Sequence, residues 1–218
     1  MHNSPMLELG LKTLIAYLLG TLLGSLILGR LRGVDIRRLG SGNAGATNAL
    51  RTQGKGFGLS VLILDIGKGV LAVWWVPALA LPGVATDAQL SRHWLALACG
   101  FAVVVGHVYP VWFGFRGGKG VATMVGVVGA LEPRLLLPLV VCWLIVVLLT
   151  GYVGLASMLA GAGLVVSVYF LDPGDTPLLG FCILITAFVV FTHRANVARM
   201  LAGTEHRARL WLFRSRAA

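Results

Sequence analysis

The amino-acid sequence predicts an all-α polytopic membrane protein, and three observations support this fold class. Hydrophobic residues make up 57% of the 218 residues and charged residues 12%, and the mean hydropathy is +0.87. These values lie far outside those of a soluble domain of this length. The hydrophobic residues also gather into runs that approach about 20 residues, the length of a helix that crosses a hydrocarbon core. The net charge of +10 therefore lies in the connections between the runs.

Seven spanning helices are predicted from these runs, and we expect them to form one compact bundle in which some helices are short. In chain order they are Leu7 to Gly29, Phe57 to Leu81, His93 to Phe115, Val121 to Leu131, Leu135 to Thr150, Tyr152 to Leu171 and Pro177 to Thr192. The fourth run is too short to cross a full hydrocarbon core at about 1.5 Å per residue, so it takes residues from the adjoining loop or re-enters the membrane. Residues 1–218 are expected to form a single integral-membrane domain, because the sequence shows no linker and no internal repeat.

The distribution of arginine and lysine predicts the orientation of these helices. The first connection and the C-terminal tail are the most basic segments, and positive residues are retained in the cytoplasm. Both segments therefore face the cytoplasm, which requires an odd number of crossings and places the N-terminus outside and the C-terminus inside. Topology or contact with anionic lipid headgroups is a sufficient explanation for most of these arginines. They are Arg30, Arg32, Arg37, Arg38, Arg207, Arg209, Arg214 and Arg216.

A polar, glycine-rich segment, Gly40 to Arg51, lies between the first two helices. Its glycines permit positive φ values and let backbone N–H groups approach phosphate oxygens closely. Side-chain donors alternate with these glycines and with alanines. They are Ser41, Asn43, Thr47, Asn48 and Arg51. Topology requires positive charge but not this alternation, so the segment predicts a phosphate-binding loop at the membrane surface.

A second glycine-rich segment, Gly114 to Thr123, precedes the fourth helix. It is not a nucleotide-binding P-loop, because Gly120 follows Lys119 where that motif requires serine or threonine, and a hydrophobic helix comes before it. Gly117, Gly118 and Gly120 are expected to expose backbone donors around Lys119 at the start of a helix. Such a position favours the binding of phosphate.

The third polar segment, His193 to Glu205, follows the last helix and places His193 and Asn196 on one helical face. Its basic neighbours put it on the same side of the membrane as the first two segments. Taken alone, an interfacial histidine is better explained as a cap of the helix end or as a side chain that extends to the interface. The convergence of three polar segments on one face is what favours a functional site there.

Polar residues inside the hydrophobic runs have simpler structural explanations. Asp65 and Lys68, three residues apart, are expected to form an ion pair buried among helices. Ser157 is expected to bond the carbonyl of its own helix four residues earlier. His107 is expected to make a buried structural hydrogen bond rather than to act in catalysis. The cysteines lie in hydrophobic runs without ligand spacing, so no metal site is predicted.

Together the three segments resemble one family, the bacterial integral-membrane glycerol-3-phosphate acyltransferases that use acyl phosphate, or PlsY family. The segments GSGNAGATNALR, GHVYPVWFGFRGGKGVAT and HRANVARMLAGTE occur in the order and spacing of the family's motifs, and LDIGKG at Leu64 to Gly69 matches a further recurrent element. The resemblance covers nearly the whole chain. It implies a seven-helix protein of the bacterial inner (cytoplasmic) membrane whose active site faces the cytoplasm, which agrees with the orientation predicted from charge.

The resemblance also implies an activity. Members of the family transfer a fatty acyl group from acyl phosphate to the 1-hydroxyl of sn-glycerol 3-phosphate. The products are 1-acylglycerol 3-phosphate (lysophosphatidic acid) and inorganic phosphate, and the reaction is the first acylation of phospholipid biosynthesis. The expected partners are these two substrates and membrane lipid, with no cofactor, metal or nucleic acid.

The family's functional residues transfer onto this sequence position by position. Those implied in substrate binding are Ser41, Gly42, Asn43, Thr47, Asn48, Arg51, Gly117, Gly118, Lys119, Ser157, His193 and Asn196. Those implied in catalysis are Lys119, His193, Asn196, Ser41 and Arg51. Glu205 matches an acidic residue for which a structural role is expected.

Two other classes of protein remain as alternatives. A transporter of organic phosphates also uses basic glycine-rich loops, but it typically has polar or broken elements near the bilayer midplane and an internal repeat. An intramembrane serine protease would pair Ser41 or Ser157 with His107 or His193 and add an oxyanion hole. A serine in a basic surface loop suits phosphate better than peptide hydrolysis.

Overall fold

The computed structural model describes residues 5–86, 88 and 90–208, and the tail arginines Arg209, Arg214 and Arg216 lie outside these ranges. All regular structure in the described ranges is helical, which confirms the predicted fold class. The α-helices there are α1 (Pro5–Gly20), α2 (Gly24–Leu31), α3 (Ala46–Gln53), α4 (Lys55–Trp74), α5 (Arg92–Val108), α6 (Val121–Leu131), α7 (Leu136–Thr150), α8 (Val153–Leu171), α9 (Thr176–Thr192) and α10 (Arg194–Leu201). Short 3-10 turns cover Ile36–Arg38, Val111–Phe113 and Pro133–Leu135.

The described residues contain between four and six candidate membrane spans. Four segments are long and hydrophobic enough by themselves: Lys55–Trp74, Arg92–Phe113, Pro133–Thr150 and Val153–Leu171. Two more spans result if each bent pair counts once, with a bend of 43° between α1 and α2 and of 51° between α9 and α10. The helix α6 has the predicted bounds but only 11 residues. Seven crossings and the orientation of the termini therefore stay predictions.

Three of the predicted helices have clearly different bounds in the structure. The run from Leu7 to Gly29 is not one helix, because residues 21–23 separate α1 from α2. The run from Phe57 to Leu81 is helical only as far as Trp74. The run from His93 to Phe115 forms an α-helix only as far as Val108 and then a short 3-10 turn. In each case the hydrophobic residues continue where the α-helix does not. Hydrophobicity predicts burial in the membrane, whereas a helix end depends on how backbone groups are satisfied there.

The residue contacts divide the chain into two compact units, with the boundary after Pro133. In the first unit α1 packs on α5, and α4 packs on α3, α5 and α6. The helices α4 and α6 approach each other closely, since a Cβ atom on Gly126 would collide with the carbonyl of Ile66 and one on Gly69 with that of Thr123. Small residues of this kind allow membrane helices to pack backbone against backbone.

A lysine from α4 stabilises the break between α1 and α2. Its Nζ donates to the carbonyl oxygens of Gly20 at 2.9 Å and Leu22 at 3.0 Å. These carbonyls lie where the helical hydrogen-bond ladder is interrupted, and leaving them unsatisfied inside a membrane would be costly. The donor is Lys68, and Asp65 lies 3.1 Å from the same ammonium group. The predicted buried ion pair is thus confirmed, and it has a second function at the bend.

The second unit contains α7 to α10, and α8 packs against α7, α9 and α10. The helix α9 begins at an N-cap, where the carboxylate of Asp175 accepts a hydrogen bond from Leu178 N at 2.9 Å. It ends at His193, where the chain bends into α10. The third polar segment consequently begins at a helix bend, and both His193 and Asn196 are buried there.

Candidate functional site

The first polar segment is a loop only in its first half. From Ala46 to Gln53 it forms α3, which corrects the prediction of a loop that extends to Arg51. Thr47 lies in the first turn of α3 and Arg51 one turn later, and both are exposed. The first turn of a helix favours an anion because its N–H groups point outward along the axis.

The side chain of Asn48 holds the glycine-rich half of the segment in shape. Its Nδ2 donates to three carbonyl oxygens, those of Ile36 at 3.2 Å, Leu39 at 2.9 Å and Asn43 at 3.0 Å, and its Oδ1 accepts from Ser41 N at 3.0 Å. The residue is only 2% exposed. These contacts occupy both amide hydrogens. The structure therefore gives Asn48 a role in organising the loop, and the ligand role that the resemblance implies stays a prediction.

The loop that Asn48 organises presents Ser41 and Gly42 to solvent, with Asn43 half-buried beside them. Gly42 has φ of 72°, a left-handed conformation that glycine adopts without strain. On the inner side, Ser25 of α2 donates to the carbonyl of Ala44 at 2.6 Å and anchors the loop to the helix. The hydroxyl of Ser41 thus projects from a loop whose backbone is fixed.

The second polar segment folds back onto the end of α5. Gly117 N donates to the carbonyl of Val108 at 3.1 Å, and Gly118 N donates to that of His107 at 3.1 Å. The expectation that both amides are exposed donors is therefore wrong. Their lack of a side chain matters instead, because a Cβ atom on Gly118 would collide with the imidazole of His107. Lys119, which follows directly, is half-buried at the start of α6.

The residues that precede the first two segments contact each other through Arg37 and Phe113. The guanidinium of Arg37 donates from Nη1 to the carbonyl oxygen of Phe113 at 3.1 Å and lies 5.8 Å from the centre of its ring. The same ring packs against a buried cluster formed by Leu23, Leu26 and Ala44. Phe113 therefore contacts Arg37, three residues before the first segment, through its backbone, and its side chain packs against a cluster that includes Ala44 of that segment.

Arg37 is itself held by Asp35. The carboxylate accepts from Arg37 Nε at 3.0 Å and Nη2 at 2.9 Å, and it also accepts from Arg37 N at 3.0 Å. The hydrogen bonds from the guanidinium lower the pKa of Asp35 below its usual value. Sequence reasoning assigned Arg37 to topology or to contact with anionic lipid headgroups. Asp35, two residues earlier, was the available signal, since a two-residue spacing allows one carboxylate to cap the turn and bind the side chain.

Three ionisable groups lie buried below the second segment. Asp65 Oδ1 is 3.1 Å from Lys68 Nζ and 3.5 Å from His107 Nδ1, and all three residues are at most 5% exposed. Intramembrane charges of this kind are expensive unless they are paired. The other face of the His107 ring packs against Gly118. The cluster thus links α4, α5 and the segment that carries Lys119, and the predicted structural role of His107 fits this position.

In the second unit the histidine of the third segment contacts the last turn of α9 through a ring nitrogen. His193 Nδ1 lies 2.8 Å from the carbonyl oxygen of Val189, and the residue is 3% exposed. A carbonyl can only accept, so Nδ1 carries a proton. In the neutral ring Nε2 is then an acceptor. The contact also caps the end of α9, which was the simpler of the two interpretations of this residue.

Asn196 is positioned by a short network between α10 and Glu205, which follows the helix. Its Nδ2 donates to Glu205 Oε1 at 2.7 Å, while Arg199 Nε donates to Glu205 Oε2 at 2.6 Å. Gly154 of α8 provides the space on the other side, because a Cβ atom there would press against the Asn196 side chain. These contacts support the structural role that was expected for Glu205.

Ser157 makes the contacts of a helix-packing serine. Its hydroxyl donates to the carbonyl of Val153 at 2.9 Å, which is the predicted bond within its own helix, and accepts from Trp143 Nε1 at 3.3 Å. Both contacts lie within the second unit. This geometry gives no support to Ser157 as the nucleophile of a protease.

The predicted site residues are divided between the two units. The first unit holds Ser41, Gly42, Asn43, Thr47, Asn48, Arg51, Gly117, Gly118 and Lys119. The second unit holds Ser157, His193 and Asn196. Fold and site together define a polytopic α-helical membrane protein with basic, glycine-rich segments suited to phosphate.

The chain belongs to the glycerol-3-phosphate acyltransferase family, whose model matches residues 11–203. It is 42% identical to the glycerol-3-phosphate acyltransferase of Aquifex aeolicus (strain VF5), over 89% of this chain and 96% of the relative. Its identity to the enzyme of the same name from Thermosynechococcus vestitus is 41%, over 91% and 94% of the two chains. The family resemblance inferred from the three motifs is confirmed.

Solved structures of PlsY (YgiH), an integral membrane glycerol 3-phosphate acyltransferase, have the same fold. Its glycerol 3-phosphate form matches with a TM-score of 0.80 and 38% identity, covering 91% of this chain and 94% of PlsY. Its lysophosphatidic acid form matches with a TM-score of 0.78 at the same identity and coverage. The glycerol 3-phosphate and lysophosphatidic acid forms are structures of PlsY itself.

Proposed function

We propose that this protein transfers a fatty acyl group from acyl phosphate to the 1-hydroxyl of sn-glycerol 3-phosphate, producing lysophosphatidic acid and inorganic phosphate. The observation that carries the proposal is the match to glycerol-3-phosphate acyltransferases over nearly the full length of both chains. The forms in which PlsY was solved, with glycerol 3-phosphate and with lysophosphatidic acid, correspond to the substrate and the product of this reaction.

Within the first unit, we assign the binding of phosphate to Ser41, Arg51 and Lys119. Arg51 and Lys119 are permanent cations, and charge-assisted hydrogen bonds to phosphate are stronger than neutral ones. Gly42, Asn43 and Thr47 complete the loop and the first turn of α3. Asn48, Gly117 and Gly118 support these groups through the backbone contacts described above.

Within the second unit, we assign to His193 and Asn196 the orientation of glycerol 3-phosphate. Because Nδ1 of His193 faces the carbonyl of Val189, Nε2 of the neutral ring accepts a hydrogen bond from a glycerol hydroxyl. Asn196, whose Nδ2 donates to Glu205 Oε1, is assigned the same orienting role. Ser157 lies in the same unit, on α8.

The reaction needs no covalent enzyme intermediate, because acyl phosphate is already an activated donor. The 1-hydroxyl oxygen attacks the acyl carbonyl carbon, the bond from that carbon to the phosphate oxygen breaks, and inorganic phosphate leaves. A phosphate oxygen of a bound substrate accepts the hydroxyl proton. Holding the hydroxyl about 3 Å from the carbonyl carbon removes much of the entropic barrier, and Lys119 stabilises the negative charge that develops.

The proposed location is the bacterial inner membrane, with the phosphate-binding segments facing the cytoplasm. The charge distribution supports this orientation, since the basic connections and the tail fall on one side when seven helices cross. The acyl chain lies among hydrophobic helices, and the phosphate groups lie at the basic surface. This arrangement joins a lipid-soluble donor and a water-soluble acceptor at one interface.

The choice of acyl donor tests the proposed function. Purified protein in lipid is supplied with glycerol 3-phosphate and, in separate reactions, with acyl phosphate, acyl-CoA or acyl-acyl carrier protein. We expect lysophosphatidic acid and equimolar inorganic phosphate with acyl phosphate, and little product with either thioester, because the basic loops offer a site for an anionic leaving group. The same preparation of a Lys119→Ala variant controls for contaminating enzymes. Comparable turnover with acyl-CoA would contradict the proposal.

A further inference from the structure

The two phosphate-binding segments of the first unit lie far apart in sequence, so something must set the distance between their cations. The first segment ends at Arg51 and the second reaches Lys119. A phosphate group that contacts both loops requires them at one separation, and an error of about 1 Å is enough to lower the rate substantially. The described contacts of the first unit show where this separation is set.

The 3-10 turn Ile36–Arg38 and the first segment form one connected piece. The Asn48 amide donates to the carbonyls of Ile36 and Leu39 within or beside the turn, and to that of Asn43 in the loop. Gly42 N also donates to the carbonyl of Leu39 at 3.0 Å. A displacement of the turn therefore displaces the loop that carries Ser41.

Arg37 connects this piece to the second segment. Its Nη1 donates to the carbonyl oxygen of Phe113, the residue that directly precedes Gly114. Its other guanidinium donors, Nε and Nη2, are bound to the two carboxylate oxygens of Asp35, which fixes the plane of the fork. The side chain of Phe113 packs against the buried cluster of Leu23, Leu26 and Ala44, of which Ala44 belongs to the first segment. The Arg37 guanidinium thus connects the turn that precedes the first segment to the residue that precedes the second segment.

We propose that Arg37 is a positioning residue, which through Asp35 and the carbonyl of Phe113 holds the first segment at the distance from the Lys119 loop that phosphate binding requires. This role rests on the proposed acyltransferase activity. Arg37 contacts neither phosphate nor acyl group and acts through the two loops. Its geometry explains why arginine is needed: a lysine has one nitrogen and cannot bind both carboxylate oxygens in a fork while also donating to Phe113.

A pair of charge-conserving substitutions provides the test. Arg38 lies next to Arg37 in the same turn and is exposed, whereas Arg37 is half-buried. Arg37→Lys and Arg38→Lys therefore preserve the same net charge and the same topological signal. For each variant and the wild type, kcat and KM are measured for glycerol 3-phosphate and for acyl phosphate, and the thermal unfolding midpoint is measured in the same detergent.

The positioning role predicts that Arg37→Lys raises KM for at least one substrate by about five- to tenfold, with a smaller change in kcat and an unfolding midpoint close to that of the wild type. Arg38→Lys is expected to stay within about twofold of the wild type, because no fork is lost. Asp35→Asn is expected to reproduce part of the KM change, since a neutral amide cannot accept both arms of the fork.

Two results would overturn the inference. The first is equal kinetic constants for Arg37→Lys and Arg38→Lys. The second is a loss of activity in Arg37→Lys that follows a lowered unfolding midpoint, which would indicate a purely structural role. If Arg37→Lys does not fold, the KM values of Asp35→Asn provide the test. An unchanged KM in Asp35→Asn also overturns the inference. Inactive wild-type protein would instead contradict the proposed function, so the two failures are distinguishable.

Discussion

At His193 the position of one proton decides what chemistry the ring can supply. Nδ1 is committed to the carbonyl of Val189, so the neutral ring offers Nε2 as an acceptor. Such a nitrogen is equally able to orient a hydroxyl and to remove its proton. The mechanism proposed above gives the proton to a phosphate oxygen, whose second pKa of about 6 also lies near neutrality.

The pH dependence of two variants distinguishes these roles. We expect His193→Asn and His193→Gln to be slower than the wild type but to retain the shape of its pH profile, because the group that accepts the proton is still present. The measurement is kcat against pH with folding checked independently by thermal unfolding. A rate loss of about 10² to 10⁴, together with disappearance of the limb that rises with pH, would identify His193 as the general base.

The cations assigned to phosphate provide a second test at the residue scale. A charge-assisted hydrogen bond contributes about 1.5 to 3 kcal/mol, so Arg51→Ala and Lys119→Ala should each lower kcat/KM at least about tenfold. Lys55 and Arg116 are exposed basic residues of the same two connections and provide matched controls. Equal losses in Lys55→Ala and Arg116→Ala would show that overall positive charge, rather than specific contact, determines the activity.

At the scale of helices, the bend between α1 and α2 depends on a partner from α4. Lys68 is bonded to the carbonyls of Gly20 and Leu22 and is paired with Asp65. Its removal leaves two buried carbonyls and one buried carboxylate without their cation. Removal of Asp65 leaves the ammonium group with both carbonyls. Lys68 is therefore expected to contribute more to stability than Asp65, although the two residues form one ion pair.

Stability measurements should reveal this asymmetry. We expect Lys68→Met to lower the free energy of unfolding by about 3 to 5 kcal/mol, the usual cost of leaving a buried charge unpaired. Asp65→Asn should cost less, and the double variant should recover only part of the loss. Reversible unfolding in mixed detergent micelles measures all three, with Ser60→Ala on an exposed part of α4 as the control. Equal costs for Lys68→Met and Asp65→Asn would contradict the explanation.

The sequence predicted those features that depend on neighbours along the chain. The bounds of α6 and the bond from Ser157 to its own helix followed from local hydrophobicity and helical spacing. The break after Gly20 and the use of Asn48 inside its loop depend on partners brought together by folding, so no local pattern contained them. For Arg37 the sequence held a local signal in Asp35, but the contact with Phe113 depends on folding.

At the scale of the whole molecule, one short helix determines the topology. Between Gly45 in the first segment and Gly174 in the connection before α9 lie the short helix α3, which has only eight residues, and the helices α4, α5, α6, α7 and α8. If α6 crosses the membrane, five crossings place these two positions on opposite sides, and one more returns Ala208 to the side of Gly45. If α6 re-enters without crossing, Gly174 and Ala208 both change sides. Positive charge favours the first arrangement, because it keeps the basic tail in the cytoplasm.

Labelling of single cysteines separates the two arrangements. In a variant that lacks Cys99, Cys142 and Cys182, we expect Gly174→Cys to react with a membrane-impermeant thiol reagent in intact cells. Gly45→Cys and Ala208→Cys should react only after the membrane is opened. Their reaction in opened membranes also shows that both thiols are accessible to the reagent. Retained acyltransferase activity shows that each variant is folded. The re-entrant arrangement predicts the opposite pattern, with Ala208→Cys labelled and Gly174→Cys protected in intact cells. That pattern would exclude seven crossings, because an arginine-rich tail outside the cell contradicts the charge rule on which the count depends.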